Sequence, residues 1–201
     1  HIGTGDGSPL QISVALDGRP DPALAELYEP MLQRAANRHH GAPITFSAEL
    51  RAALHGAADA HGGRLRLITE SGEIQRCAEV LAEADRIRYL TNRLHAEMFA
   101  EIWSPGDPSP EYGIDVRTLE LAASDLAVLD VLRRSEVMDE LARWDAGSVL
   151  GSNTRDRVGW ASAVAVISVG GRTLADYARA GAAVEAVWIT AQTAGLRSEE
   201  R

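Results

Sequence analysis

Two arginines one helical turn apart, Arg34 and Arg38, stand in the stretch LQRAANRHHGAPIT (32–45), with Asn37 beside the second and two histidines after it. On a continuous helix an i, i+4 pair shares one face at a separation of about 6 Å. Like charges placed so repel unless an anion lies between them or the carbonyl end of the helix offsets the cost. The planar guanidinium fork matches phosphate oxygens, and the Asn37 amide adds a donor, so phosphate binding is one chemistry open to this stretch. The other reading is electrostatic: cations suit the C-terminal end of a helix, and His39-His40-Gly41-Ala42-Pro43 marks such an end. Spacing alone leaves the two readings level.

Other chemistries have weaker signatures. The histidines stand at 1, 39, 40, 55, 61 and 95, with no HExxH or CxxC spacing to hold a metal. No GxSxG appears, and Cys77 lies on an apolar helical stripe, where a buried inert thiol is the default. Gly170-Gly171-Arg172-Thr173 joins a strand to a helix, the kind of place where phosphates bind. It lacks both GxGxxG and a Walker lysine, so a tight turn with a Thr173 cap accounts for it. Glu111, Asp115 and Glu120 flank a proline-rich loop; acid/base work would need burial to raise their pKa, and a solvated loop is the simpler account.

These residues need elements to place them. Asp21-Pro22 is a helix start, and Leu24, Leu27, Tyr28, Met31, Leu32 and Ala35 follow at helical spacing, with Pro30 set to kink or split the run. Ser47 caps a second helix that stops at Gly62-Gly63. RLRLIT (64–69) alternates as a strand with Leu65, Leu67 and Thr69 on one face. A long helix from about Gly72 to Trp103 is expected to bury Ile74, Cys77, Ala78, Leu81, Ala84, Ile87 and Leu90. SPGDPSPEYGID (104–115) is irregular, a helix runs from Ser124 to about Trp144, and DAGSVLGSNTRDR (145–157) reads as a polar connector. WASAVAVISVGG (160–171) reads as a buried strand, and a helix capped by Thr173 ends at Gly195. LQISVAL (10–16) is a further, edge-strand candidate. Helices dominate, and the two or three strands fall short of the about five or six usual in a sheet.

The chain has 201 residues, 45% apolar and 24% charged, with a formal net charge of −9. That suits one globular domain and gives no overall attraction to nucleic acid or anionic membrane, so any anion site must be local. All 20 basic residues are arginine, which excludes a lysine nucleophile, a Schiff base and a P-loop lysine. One cysteine fits a reducing compartment, and with no run of about 18 apolar residues the expectation is a cytoplasmic protein. Because the chain opens HIGTGDGSPL without Met, it is expected to be a piece of something longer.

Arg34-Ala35-Ala36-Asn37-Arg38 resembles the Arg-Arg-Ser-x-Arg-type motif of the flavin-dependent nitroreductase superfamily, with Ala35 and Ala36 departing from its second arginine and its hydroxyl. SAVAVISVGG followed by AAVEAVWITAQTAGL is similar to that family's late strand and long helix, closing at Ala191–Leu196. EYGIDVRTLEL and VLRRSEVMDELARW resemble its actinobacterial, mycobacterial-type branch, in which such modules are duplicated or fused to a ThiF/E1-like adenylating domain. The resemblance spans roughly residues 21 to 196. It implies an α+β sandwich with a mostly antiparallel sheet flanked by long helices, here one domain over 1–201 that is incomplete at both ends. It further implies a homodimer or internal pseudo-dimer holding FMN, the phosphate on Arg34, Asn37 and Arg38 and the ring near Gly195 and Leu196. The activity implied is hydride transfer from NAD(P)H to a nitroaromatic, quinone or similar acceptor, with no catalytic side chain and no metal. The alternative is a non-catalytic flavin-binding or dimerising module of a larger fused protein.

Overall fold

A computed structural model of the chain describes residues 2–5, 8–12, 18–36, 41–104 and 113–198. The chain is α+β and divides into two compact units: one from its described residues up to Ala36, from 41–69 and from 162–198, the other from 70–161.

In the first unit, β1 (Ile2–Gly5) and β2 (Ser8–Ile12) pair antiparallel with a register shift between Gly3 and Gly5. Asp21 Oδ1 accepts from Leu24 N at 3.2 Å and opens α1 (Pro22–Glu26), followed by α2 (Tyr28–Gln33). Pro30 explains the split. It has no N–H to offer the Glu26 carbonyl four residues back, and its ring crowds that carbonyl, so α1 stops at Glu26. The expected run of helix through Arg38 does not form: α2 ends at Gln33, and Arg34 is extended (φ −65°, ψ 123°). The premise that Arg34 and Arg38 share a helical face therefore fails. Asn37 and Arg38 themselves lie outside the described residues.

Ser47 Oγ accepts from Leu50 N at 3.1 Å and caps α3 (Ala48–Asp59), which leads through Gly62 (φ +72°) into β3 (Arg64–Ile68). β3 pairs antiparallel with β6 (Val164–Ser168), in register from Arg64↔Ser168 to Ile68↔Val164. The last helix, α9 (Leu174–Thr193), packs against α3. Ala183, Val187 and Ala191, spaced i, i+4, i+8, are buried on α9; Val187 and Ala191 join Leu54, Ala58 and Leu65 in the core, edged by Phe46, Leu50, Ile167 and Leu196. Burying a side chain the size of Leu54, Leu65 or Val187 contributes about 1.5–3 kcal/mol each. β6 departs from the expectation of a buried strand: it is five residues long, and Ala165, Val166 and Ser168 are exposed. Among the described residues β3 is its one partner strand, so its far edge is open.

The second unit is mostly helical. The expected helix from 72 to 103 is two helices, α4 (Ser71–Leu90) and α5 (Asn92–Ala100), followed by β4 (Ile102–Trp103), which pairs parallel with β5 (Ile114–Asp115). The break falls at Thr91, extended, with its hydroxyl donating back to Ile87 O at 2.7 Å. The expected helix from 124 to 144 likewise divides into α6 (Ala123–Leu132) and α7 (Ser135–Arg143), at the extended Arg134. The stretch read as a connector contains α8 (Ser152–Gly159), packed along α4. The stripe on α4 is Ile74, Ala78 and Ala82, whereas Ile87 and Ala84 are exposed. Alanines form that stripe because α8 comes so close that a Cβ on Gly151 would lie 2.1 Å from Ala82 O.

That contact generates a prediction. Gly151→Ala must force α8 off α4 because the obstructing atoms are backbone, and the expected loss is about 2–3 kcal/mol in urea unfolding. Gly56→Ala, where a Cβ meets nothing within 4 Å, is the control and should be neutral or slightly stabilising.

Candidate ligand site at Arg34

The site is built on α9. Thr173 Oγ1 accepts from Asp176 N at 3.2 Å, and the Asp176 carboxylate accepts from Thr173 N at 2.9 Å and from the Thr173 hydroxyl at 2.7 Å, a capping box. Those bonds, with the nearby Arg179 guanidinium, hold the Asp176 carboxyl below the usual aspartate range. A Cβ on Gly171 would lie 2.0 Å from Asp176 Oδ2. The helix thus supplies its own anion at its start, and Thr173 caps it as the sequence predicts.

At its other end α9 closes with Gly195 at φ +76°, Gly195 N on Gln192 O at 2.9 Å and Leu196 N on Ala191 O at 2.9 Å. This is a Schellman motif, and the Leu196 side chain packs on the core cluster that contains Ala191. Both N–H groups at the expected flavin contact are therefore used in ending the helix. The α3 terminus repeats the pattern, with Gly63 N on Ala58 O and Gly62 N on Asp59 O.

Between these ends the α9 face turned to the 34–36 segment carries Glu185 and Trp188. The Arg34 guanidinium lies over the Trp188 ring, 4.2 Å from its centroid, and Arg34 Nε stands 2.9 Å from Glu185 Oε1. The stacking contributes about 0.5–2 kcal/mol. The ion pair is at contact distance, but the N–H is not directed at the carboxylate oxygen, so it is a coulombic pair and not a hydrogen bond. Beyond the helix end, Ser198 bridges in parallel to Ala36, two residues past Arg34.

Among the described residues, three buried side-chain polar atoms have no hydrogen-bond partner: Arg34 Nε, Trp188 Nε1 and Ser198 Oγ. All belong to this neighbourhood. Trp188 is 9% exposed, and its indole N–H can only donate. A buried donor left without an acceptor costs about 1–3 kcal/mol, a cost that a bound water, ion or ligand would relieve. Sequence spacing pointed to Arg34 but carried no sign of Trp188 or Ser198, since a Trp on an apolar helix face reads as core.

Elsewhere several titratable groups are structurally engaged. His95 is buried, its Nε2 2.8 Å from Leu132 O at the end of α6 and its ring against Phe99. Thr154 is buried and donates its hydroxyl to Asp85. Arg86 binds Asp145 at 2.8 Å and the Ala146 carbonyl at 3.0 Å. Hydrogen bonds from the Arg117 side chain and backbone N–H hold the Asp115 carboxyl below its usual range, the wrong direction for a general acid. Cys77 is half-buried. Glu111, His39 and His40 lie outside the described residues. No group of His, Cys, Asp or Glu among the described residues could hold a metal, and no described helix is long and apolar enough to cross a membrane.

A curated mycobacterial protein, described as uncharacterized protein MT1398 of Mycobacterium tuberculosis (strain CDC 1551 / Oshkosh), is 52% identical over 189 residues, 94% of this chain. The chain spans 26% of that relative's length. No protein-family model and no solved structure matches the chain.

The capping box predicts a pH dependence with a definite sign. A depressed carboxyl stabilises the fold above the ordinary aspartate value and loses that contribution as pH falls through the lowered folded value. The urea-unfolding curves of the wild type and Asp176→Ala should therefore stand apart at pH 7 and draw together below about pH 4. A gap unchanged down to pH 2 would show that the carboxylate charge is not what stabilises the helix start.

Proposed function

We propose that this chain is a flavin-binding module of an FMN-dependent NAD(P)H oxidoreductase of the nitroreductase-like kind, carried within a longer polypeptide. The observation that supports this reading is the neighbourhood of Arg34: three buried side-chain polar atoms without hydrogen-bond partners, Arg34 Nε on the segment that the resemblance assigns to the FMN phosphate, Trp188 Nε1 beneath that guanidinium, and Ser198 Oγ on the residue that bridges to Ala36. A phosphate monoester presents several acceptor oxygens and matches such donors. Arg34 would hold the phosphate, with Asn37 and Arg38 following it in the chain as the resemblance implies. Bound FMN supplies the transfer of hydride and electrons from a nicotinamide donor to a nitroaromatic, quinone or similar acceptor. The chain's own tasks are then to bind and orient. With their N–H groups engaged in the Schellman motif, Gly195 and Leu196 would contribute carbonyl oxygens and an apolar side chain rather than backbone donors. The length of the mycobacterial relative supports a module within a larger chain.

One observation favours a second reading, a non-catalytic dimerising or structural module of a fused protein. Leu24, Tyr28, Met31 and Leu32 on α1 and α2 are 67%, 56%, 42% and 59% exposed, an apolar set left open in this chain. A homodimer, an internal pseudo-dimer or a fused domain would cover it.

Titration of FMN by quenching of its fluorescence separates the readings. The full chain is expected to bind FMN, and Arg34→Ala/Arg38→Ala to weaken binding at least about tenfold, the scale of one charge-assisted contact. NAD(P)H oxidation with a quinone acceptor should accompany binding; binding without turnover favours the second reading. A full chain that takes up no FMN overturns the flavin reading.

A further inference from the structure

We propose that Glu185 is a resident counter-ion for Arg34 that an incoming phosphoryl group displaces, and that Trp188 Nε1 and Ser198 Oγ are additional donors to that group. The inference deepens the reading above and rests on it for the identity of the ligand, although the displacement concerns any phosphoryl anion at this site.

The Arg34 and Glu185 side chains are 29% and 42% exposed and make no aligned hydrogen bond, so the pair sits in the range where solvent screening leaves little net attraction. Glu185 lies on a regular stretch of α9, and its partly exposed side chain can turn to water without disturbing the helix. Trp188 has no such freedom. It is nine-tenths buried beneath the Arg34 guanidinium, and its N–H can be satisfied only by an acceptor brought to it. The Ser198 hydroxyl is held near by the Ala36 bridge and is equally without a partner. A single carboxylate placed beside Arg34 leaves all three polar atoms unpartnered, whereas a phosphoryl group has oxygens enough for three donors. Charge gives the same ordering. While Glu185 stays, an entering anion meets a guanidinium already paired and a like charge beside it; once Glu185 turns away, the Arg34 guanidinium faces the ligand without that like charge. Glu185 therefore lowers affinity for the anion and keeps the free site from standing as an unpaired cation on the Trp188 ring.

The test uses the full chain and three probes: FMN, riboflavin, which lacks the phosphate, and inorganic phosphate, followed by flavin quenching and by indole fluorescence. Glu185→Gln should bind FMN and phosphate about tenfold more tightly than wild type and leave riboflavin unchanged. Trp188→Phe keeps a ring under Arg34 and removes the N–H, so it should weaken FMN and phosphate severalfold while unfolding at the same urea concentration as wild type. Ser198→Ala should act in the same direction. FMN binding that Arg34→Ala abolishes but Glu185→Gln leaves unchanged or weakens would overturn the counter-ion role and leave the flavin reading intact. Phosphate binding tightened by Glu185→Gln, with no FMN uptake by any variant, would support the displacement and overturn the flavin reading. No binding of any probe by wild type or Glu185→Gln would overturn both.

Discussion

The first unit depends on how closely α9 approaches the turn between α3 and β3. A Cβ on Gly63 would lie 2.7 Å from the Ala183 Cβ and 3.3 Å from Ala58 O, so glycine at that position and alanine at 183 are what let the helix pack there. From that close approach the rest of the seam follows at helical spacing: Val187 and Ala191 reach Leu54, Ala58 and Leu65, and Leu196 closes the end. A larger side chain at 63 or 183 would move the whole helix, because core packing at near-crystalline density has no slack to absorb it.

The same seam decides what the opposite edge of α9 can do. With Ala183, Val187 and Ala191 committed to the core, the helical period turns Glu185 and Trp188 toward the segment that follows α2. Arg34 reaches them because α2 stops at Gln33 and the chain runs extended. Had the helix continued, Arg34 would have stood on its surface as one of a row of solvated cations. The candidate site is thus a by-product of helix termination, and its unpartnered donors mark the place where burial outran local hydrogen bonding.

In the second unit polar groups perform structural work that a search for catalysis would mistake for function. Helices that end without capping side chains leave carbonyls to be satisfied from elsewhere, and His95 on the Leu132 carbonyl does this for α6. Arg86 ties the end of α7 and the turn at Asp145, itself at φ +47°, to α4. The Thr154 and Asp85 pair lies within the α4 and α8 packing. Each titratable group in these contacts is spoken for, which leaves the Arg34 neighbourhood as the place where buried side-chain polar atoms go unmet among the described residues.

What the sequence determined by itself was local. Asp21, Ser47 and Thr173 announced helix starts through side-chain caps, Gly62 and Gly195 announced helix ends through backbone freedom, and RLRLI showed its strand by alternation, because each of these signals is carried by neighbours in the chain. Tertiary structure alone decided the rest. The breaks at Thr91 and Arg134 carry no Gly or Pro, and α8 has no apolar stripe, since its tightest contact is made by a glycine, Gly151, and its buried residue is Thr154. In the same way, Arg34 was legible as a cation near a helix end, but Trp188, Glu185 and Ser198 were not legible as its companions. Their meeting depends on contacts more than 150 residues apart in the chain, and the value of a buried donor is set by what surrounds it in space, not by its neighbours in sequence.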